Sequence, residues 1–317
     1  MTSSSHTSRR RFIAGTAATF IALPTLHAQT RPVLKAGDQK GGLRALLEAA
    51  GGLEGVGYDI QWSEFPAAAP LAEALNAQAV DSGPIGDAPL IFALAAGTRV
   101  KAIGANRSDS YGTAVLVRPD STLKTAADLK GKSIATNRGS IGHYVTLKAI
   151  TSAGLKPEDV NIRFLAPADA KLALTQGSVD AWATWEPYTA LAETSQHARV
   201  LVSGRGLLPG LSYLAATDAA IASKRPVLQD FLQRVVKAQV WSYRNVDAYS
   251  STLARIIGIP PEAAKLQFER RQQQWIAIDA KVIADQQATA DFYEQVGLIK
   301  QHLDVRGTFD TGFGTSA

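Results

Sequence analysis

The chain has 317 residues, of which 46% are apolar, and its 33 lysines and arginines against 28 acids give a formal charge of +5. That length allows two domains of ordinary size, and beyond the N-terminal segment no run approaches the roughly 18 apolar residues of a membrane span. Cysteine is absent, which excludes a disulfide framework, cysteine metal sites, a thiol nucleophile and a lipid-anchor cysteine.

The first residues read as an address. Ser8-Arg9-Arg10-Arg11-Phe12-Ile13 precedes a weakly apolar stretch from Phe12 to Leu26, and Leu26-His27-Ala28 follows. A charged start, an apolar centre too short to span a bilayer and a small residue at the end form the pattern of a twin-arginine export signal over residues 1–28, cut after Ala28. The expected location is therefore the periplasm. Losing three arginines takes the formal charge from +5 to +2, so the basic balance belongs mostly to the leader. No basic stripe interleaved with aromatics follows, and no nucleic-acid partner is expected.

After the leader, short apolar strands alternate with Ala-rich helical patterns, the mark of α/β layers. Val33 to Gly37 reads as a strand ending at Gln39-Lys40-Gly41-Gly42, and Leu43 to Ala50 as a helix stopped by Gly51-Gly52. Ile60 to Phe65 is a second strand, Pro70 to Ala77 a helix, and Ser82 to Ile85 a short strand. Asp87 is positioned to cap a helix that runs to Ala96 and stops at Gly97.

The phrasing then recurs. Ser133 to Thr136 reads as a strand, Ser140 caps a helix that Gly154 ends, Ile162 to Leu165 is a strand and Ala168 to Gln176 a helix. In both "PLAEALNAQAVDSGPIGDAP" and "AKLALTQGSVDAWATWEPY" a Leu/Ala helix leads through Val-Asp to a strand, and an acid follows six residues later, Asp87 in one and Glu186 in the other. The repetition suggests two related lobes facing one another. The apolar, β-prone segments at 111–122 and 209–219 read as chain crossings between them, and two such strands would form a hinge. From about Pro226 onward the chain is expected to be helical and to pack on the first lobe.

The segments "GDQKGGL", "WSEFPAAAPLAEALN", "IGDAPLIFALAAG", "LKGKSIATNRGSIGH", "LAPADAKLAL", "GSVDAWATWEPY" and "LSYLAA" stand in the order seen in aliphatic sulfonate-binding proteins of bacterial ABC importers. The chain resembles that family over nearly its whole length after the leader, and more loosely the taurine, nitrate and thiamine-precursor binders. The resemblance implies a type II periplasmic binding protein, with two α/β lobes joined by a two-strand hinge and a ligand cleft between them. On this reading the first lobe comprises 29–117 and 213–317, and the second 118–212. It implies a monomer that takes a small anionic organosulfur ligand to an inner-membrane permease, without cofactor or metal.

A sulfonate shares one negative charge over three oxygens and offers no proton, so its pocket needs converging donors. Helix N-termini provide them, because their first N–H groups lack intrahelical partners and carry the positive end of the macrodipole. Gly139 would let the backbone approach, Ser140 offers a hydroxyl or serves as an N-cap, and the amides of Ile141 and Gly142 would face the anion. From the other lobe, Gln39 can donate its side-chain amide, Gly41 and Gly86 let the ligand near the backbone, and Lys40 adds charge. Asp87 is expected to cap its own helix, and Glu186 to pair with an arginine or to meet a ligand ammonium; Glu64 is ambiguous in the same way. Trp185, rather than Trp182, is expected over the organic tail, and Tyr213 is expected to reach the ligand on closure.

The family commonly has a hydroxyl residue where this chain has Pro84 or Ile85, and often serines where it has Ile141-Gly142, which bears on the ligand and not on the fold. Alkanesulfonates lead, ahead of aryl sulfonates or sulfate esters, taurine and nitrate. An enzyme is not expected. The histidines are scattered, His-Glu-x-x-His and Gly-x-Ser-x-Gly do not occur, and "KGKS" at 130–133 lacks the glycine of a phosphate loop. A thiamine-pyrimidine synthase of the same fold would need a cysteine-rich segment that this chain lacks.

Overall fold

The computed structural model describes residues 1, 2 and 31–315, so the expected leader lies, from residue 3 onward, outside the described residues. Among the described residues no helix is long and apolar enough to cross a membrane.

The chain enters as β1 (Val33–Gln39), α1 (Leu43–Ala49), β2 (Asp59–Phe65), α2 (Ala68–Asn76), β3 (Ser82–Gly86), α3 (Asp87–Ala95) and β4 (Val100–Arg107). β1 runs parallel to β2 and β3, which requires the crossover helices that the Ala-rich segments supply. A second series follows as β5 (Ala114–Val117), β6 (Ser133–Thr136), α4 (Ile141–Ser152), β7 (Asn161–Phe164), α5 (Pro167–Thr175), β8 (Ala181–Thr184), α6 (Tyr188–Gln196) and β9 (Arg199–Ser203). The chain returns through β10 (Leu211–Thr217) and finishes with α7 (Asp218–Arg244), α8 (Val246–Ile257), α9 (Pro261–Arg271), the short β11 (Gln274–Ile276) and α10 (Ala280–Gln295).

Two mixed sheets result, one ordered β11-β4-β10-β3-β1-β2 and the other β7-β6-β8-β5-β9. The two share a plan. In the first sheet β1 lies between β2 and β3, and in the second β6 lies between β7 and β8; one antiparallel strand then separates β3 from β4 and β8 from β9. That strand is β10 in the first sheet and β5 in the second. The crossings expected at 111–122 and 209–219 are these antiparallel strands, each of them lying wholly in one sheet. The chain passes between sheets just before them, at residues 108–113 and 204–210. Ala114–Val117 therefore belongs to the second lobe and Leu211–Ser212 to the first, which corrects the expected limits of 117/118 and 212/213. Apolar β-propensity marks a buried strand but does not say which sheet it joins.

The repeated Val-Asp has a physical basis. Asp81 accepts the Lys35 amide on Oδ2 at 2.7 Å while its own N–H donates to the Lys35 carbonyl at 2.7 Å. Asp180 does the same with Ser133, at 2.8 and 3.0 Å. In both lobes the acid thus fixes the start of the third strand against the first, and its charge strengthens the bond.

One apolar cluster, with Leu34, Leu47, Phe231, Leu232 and Val235 buried, joins α1 and α7 to one face of the first sheet. Each such side chain contributes about 1.5–3 kcal/mol on full burial. The terminal helices pack there as expected, with a difference at α7. It begins at Asp218, with Thr217 Oγ1 accepting the Ala220 amide as N-cap, and it kinks at Lys224 just before Pro226. Proline deprives the previous turn of a donor, so the helix tolerates it only with that bend. At the other end of the chain, α10 places Phe292 and Tyr293 against Tyr144 of α4, bridging the lobes.

Candidate functional site

A cleft of about 1120 Å³ lies between the lobes and is lined from both. Ten of the eleven residues expected there line it: Gln39, Gly41, Gly86, Asp87, Gly139, Ser140, Ile141, Trp185, Glu186 and Tyr213. Gly142 does not. It sits in the first turn of α4 facing β8, where an added Cβ would stand 2.6 Å from the Ala183 carbonyl oxygen, so its glycine serves helix-to-strand packing.

The turn after β1 shows why the sequence reads Gln39-Lys40-Gly41-Gly42. Asp38 folds back so that Oδ1 accepts the Leu43 amide at 3.0 Å and Oδ2 the Arg44 amide at 2.7 Å. A Cβ at Gly42 would lie 2.2 Å from that carboxylate, and Gly41 has φ +77 with Ile257 Cγ2 only 2.3 Å from its notional Cβ. Burial, against those amide bonds, lifts the Asp38 carboxyl to about 6. The start of α1 is therefore satisfied from within.

α3 behaves similarly, with a correction. Gly86, not Asp87, is its N-cap, and Asp87 is the first helical residue. The Asp87 side chain is fully buried, with Oδ1 accepting the Ala88 amide at 2.7 Å and Oδ2 without a partner. Desolvation dominates and raises its carboxyl to about 7. An acid placed one residue before a helix and one placed as its first residue look alike in sequence, and here the deep burial was not legible.

α4 differs because the side chain bonded to its first turn is a neutral hydroxyl and not a carboxylate. Ser140 Oγ accepts the His143 amide at 3.2 Å and donates to the Asn137 carbonyl at 2.7 Å. The serine is thus an N-cap whose proton is already engaged, and what its turn offers an anion is the outward amides at the helix start. Gly139, at φ +70, brings this turn against Phe92 of α3, 3.3 Å from its notional Cβ. His143 lies behind, where burial and then the Arg138 charge hold its imidazole down at about 4, leaving it neutral.

The strand ends set the remaining walls. Trp182 is buried in β8, whereas Trp185 lines the cleft edge-on to Tyr188, at 5.8 Å between ring centroids. Tyr213 stands in the cleft wall with its hydroxyl already engaged. It is 1% exposed and its hydroxyl donates to Gln286 Oε1 at 3.0 Å, while Gln286 Nε2 donates to the Asp87 carbonyl at 3.0 Å. Its neighbour Ser212, on the opposite face of the strand, lines the cleft.

Glu186 is committed to Arg270, which bonds it through Nε and reaches Glu193 Oε2 through Nη1 at 2.6 Å. Asp109 is likewise held by Arg205, at 2.7 Å. By contrast Lys40, Arg138 and Arg271 line the cleft without an ion pair among the described residues; Arg138 rests its guanidinium 3.8 Å over the Phe164 ring. Sequence reasoning passed over Arg138 and Arg271. The available signal was the Arg270-Arg271 pair, in which a helical turn sends neighbouring side chains in different directions. Among the described residues no cluster of three histidines or acids is placed to hold a metal.

Two mixed sheets, two crossings and a shared cleft define a two-lobe binding protein of the periplasmic type II class, and the chain is a binding protein rather than an enzyme. It belongs to the NMT1-like family, which it matches over residues 42–258. It is 35% identical to a protein of Escherichia coli (strain K12) named as an aliphatic sulfonates-binding protein, over 88% of this chain and 89% of that one. The alkanesulfonate-binding protein SsuA of Xanthomonas axonopodis pv. citri, solved bound to MOPS, superposes with a TM-score of 0.83 at 32% identity, covering 89% of this chain and 99% of that one. The periplasmic aliphatic sulphonate binding protein SsuA of Escherichia coli gives a TM-score of 0.80 at 33% identity, with 87% and 91% covered.

Proposed function

We propose that this chain is the substrate-binding component of an ABC importer that captures an organosulfonate anion, led by alkanesulfonates, and delivers it to an inner-membrane permease. The observation that carries the reading is the start of α4. Its cap is a neutral serine hydroxyl, and Lys40 and Arg138 line the cleft without an ion pair among the described residues, while Glu186 and Asp109 are paired with arginines. A permanently charged, proton-free head group suits such a site, since amides and guanidinium groups accept an anion without needing a shared proton. Gln39 and Lys40 supply side-chain donors from the opposite lobe, and Trp185 gives apolar area for the tail. The relatives bind sulfonates by name, and they support the same head group here.

The protein works in the periplasm as a monomer, exported through the twin-arginine pathway by residues 1–28. The ligand shifts lobe closure only through contacts it makes with both lobes. A thermal-shift panel of alkanesulfonates, MOPS, an aryl sulfonate, taurine and nitrate tests the reading. A true ligand at about 100 times its Kd adds roughly 2.7 kcal/mol of stability, and a panel in which nitrate alone shifts the transition would replace the sulfonate.

A further inference from the structure

The cleft has a second polar corner, away from the start of α4. Across the first sheet a row of facing residues runs Gly86, Ser212, Asn106, Trp275, one from each of β3, β10, β4 and β11. All four line the cleft, and three strand spacings carry the row roughly 14 Å. Its Gly86 end lies at the start of α3, whose Phe92 meets the α4 turn. Its other end, Trp275, closely follows Arg271 in sequence, and both line the cleft.

Arg271 is anchored at the crossing between lobes, where its carbonyl accepts the Asp109 amide at 2.7 Å. Its side chain has no hydrogen-bond or ion-pair partner among the described residues, while the adjacent Arg270 is paired through Nε with Glu186 and through Nη1 with Glu193. Gln267 and Gln273 line the cleft as well. The Trp275 Nε1–H, a donor that an oxyanion can satisfy, is buried without a partner among the described residues. A buried indole N–H is ordinarily satisfied, and this one and the half-buried Arg271 guanidinium are both donors on the same cleft. A planar oxyanion is the natural complement of a guanidinium.

We propose that this corner receives a carboxylate at the far end of the ligand, so that the preferred cargo is a sulfonate carrying a second acidic group. This rests on the sulfonate reading above: one end of the cleft takes the sulfonate at α4, and the other takes the carboxylate at Arg271. Trp185 and the apolar wall span the chain between the two.

Calorimetry on the purified protein tests this with matched pairs of increasing chain length, each an alkanesulfonate and its ω-carboxylated counterpart. The expected result is a chain length at which the carboxylated member binds about tenfold tighter, as one well-formed ion pair allows. Arg271→Gln should erase that preference and leave the alkanesulfonate Kd unchanged, while Arg271→Lys should keep part of it. Two results would overturn the proposal: no carboxylated member binding tighter at any length, or Arg271→Gln weakening both members alike, which would assign Arg271 to the sulfonate. Binding of alkanesulfonates alone leaves the sulfonate reading standing, whereas failure of every sulfonate in both series removes both.

Discussion

Arg270 of α9 and Glu186 at the start of α6 join the two lobes beside the crossings, and Glu193, one helical stretch further along α6, shares the same guanidinium. The side chains of Arg270 and Glu186 are 12% and 4% exposed, so the pair is largely withdrawn from water. Breaking such a pair from one side leaves a buried charge and typically costs about 3–5 kcal/mol. Arg270→Ala should therefore lower unfolding stability in urea by that order, and Arg270→Lys by less. A loss of only a few tenths of a kcal/mol would mean that the pair opens to solvent.

Two substitutions at Ser140 separate its roles. Ser140→Ala removes the cap and should cost about 1 kcal/mol of stability, with sulfonate affinity reduced modestly because the amides remain. Ser140→Leu places a branched side chain in the turn facing Phe92 and should abolish binding. Calorimetry showing wild-type affinity for Ser140→Leu would move the head group elsewhere in the cleft.

Trp185 covers the tail, so Trp185→Ala should weaken a hexanesulfonate far more than methanesulfonate. Each buried methylene contributes roughly 0.8 kcal/mol, which spreads the two ligands widely in the wild type and should narrow in the variant. An equal loss for both would place the indole outside the pocket.

Asp87 makes stability depend on pH. Its carboxyl titrates at about 7 when folded against 3.8 in the reference state, so between those values the folded protein holds the extra proton. Stability therefore falls as pH rises from about 4 to 7 and is flat beyond, by an amount on the order of 4 kcal/mol. Asp38, raised to about 6, adds to the slope over the lower part of that window. Asp87→Asn should stabilise the protein in urea at pH 8 and change it little at pH 4; equal effects at both would mean the acid stays charged throughout.

Most of the architecture was legible because it rests on local signals. Ser133 to Thr136 stands as read, and Ser140 caps its helix. The paired Val-Asp turns mark equivalent points because Asp81 and Asp180 perform one backbone task in two lobes. What stayed hidden depends on which distant segment a residue meets. Ser212 and Tyr213 both stand in the cleft wall, but the tyrosine hydroxyl is taken up by Gln286, a distant residue that no local pattern points to. Arg271 lies in a helix whose composition speaks only of packing, and its placement follows from a carbonyl fixed by Asp109. The three helix starts looked equivalent in sequence, yet Asp38 and Asp87 occupy two of them.

Each sheet receives its antiparallel strand from chain that has just left the other lobe, β5 after β4 and β10 after β9. The lobes are consequently not interchangeable cassettes. A fragment spanning 118–212 would lack β5, stranding β9 from β8, and a splice of the remaining two pieces would cut β10 short by Leu211 and Ser212. Grafting one half onto a relative to swap cargo must carry the neighbouring connector along, cutting near 108 and 204 instead of at the edges suggested by composition.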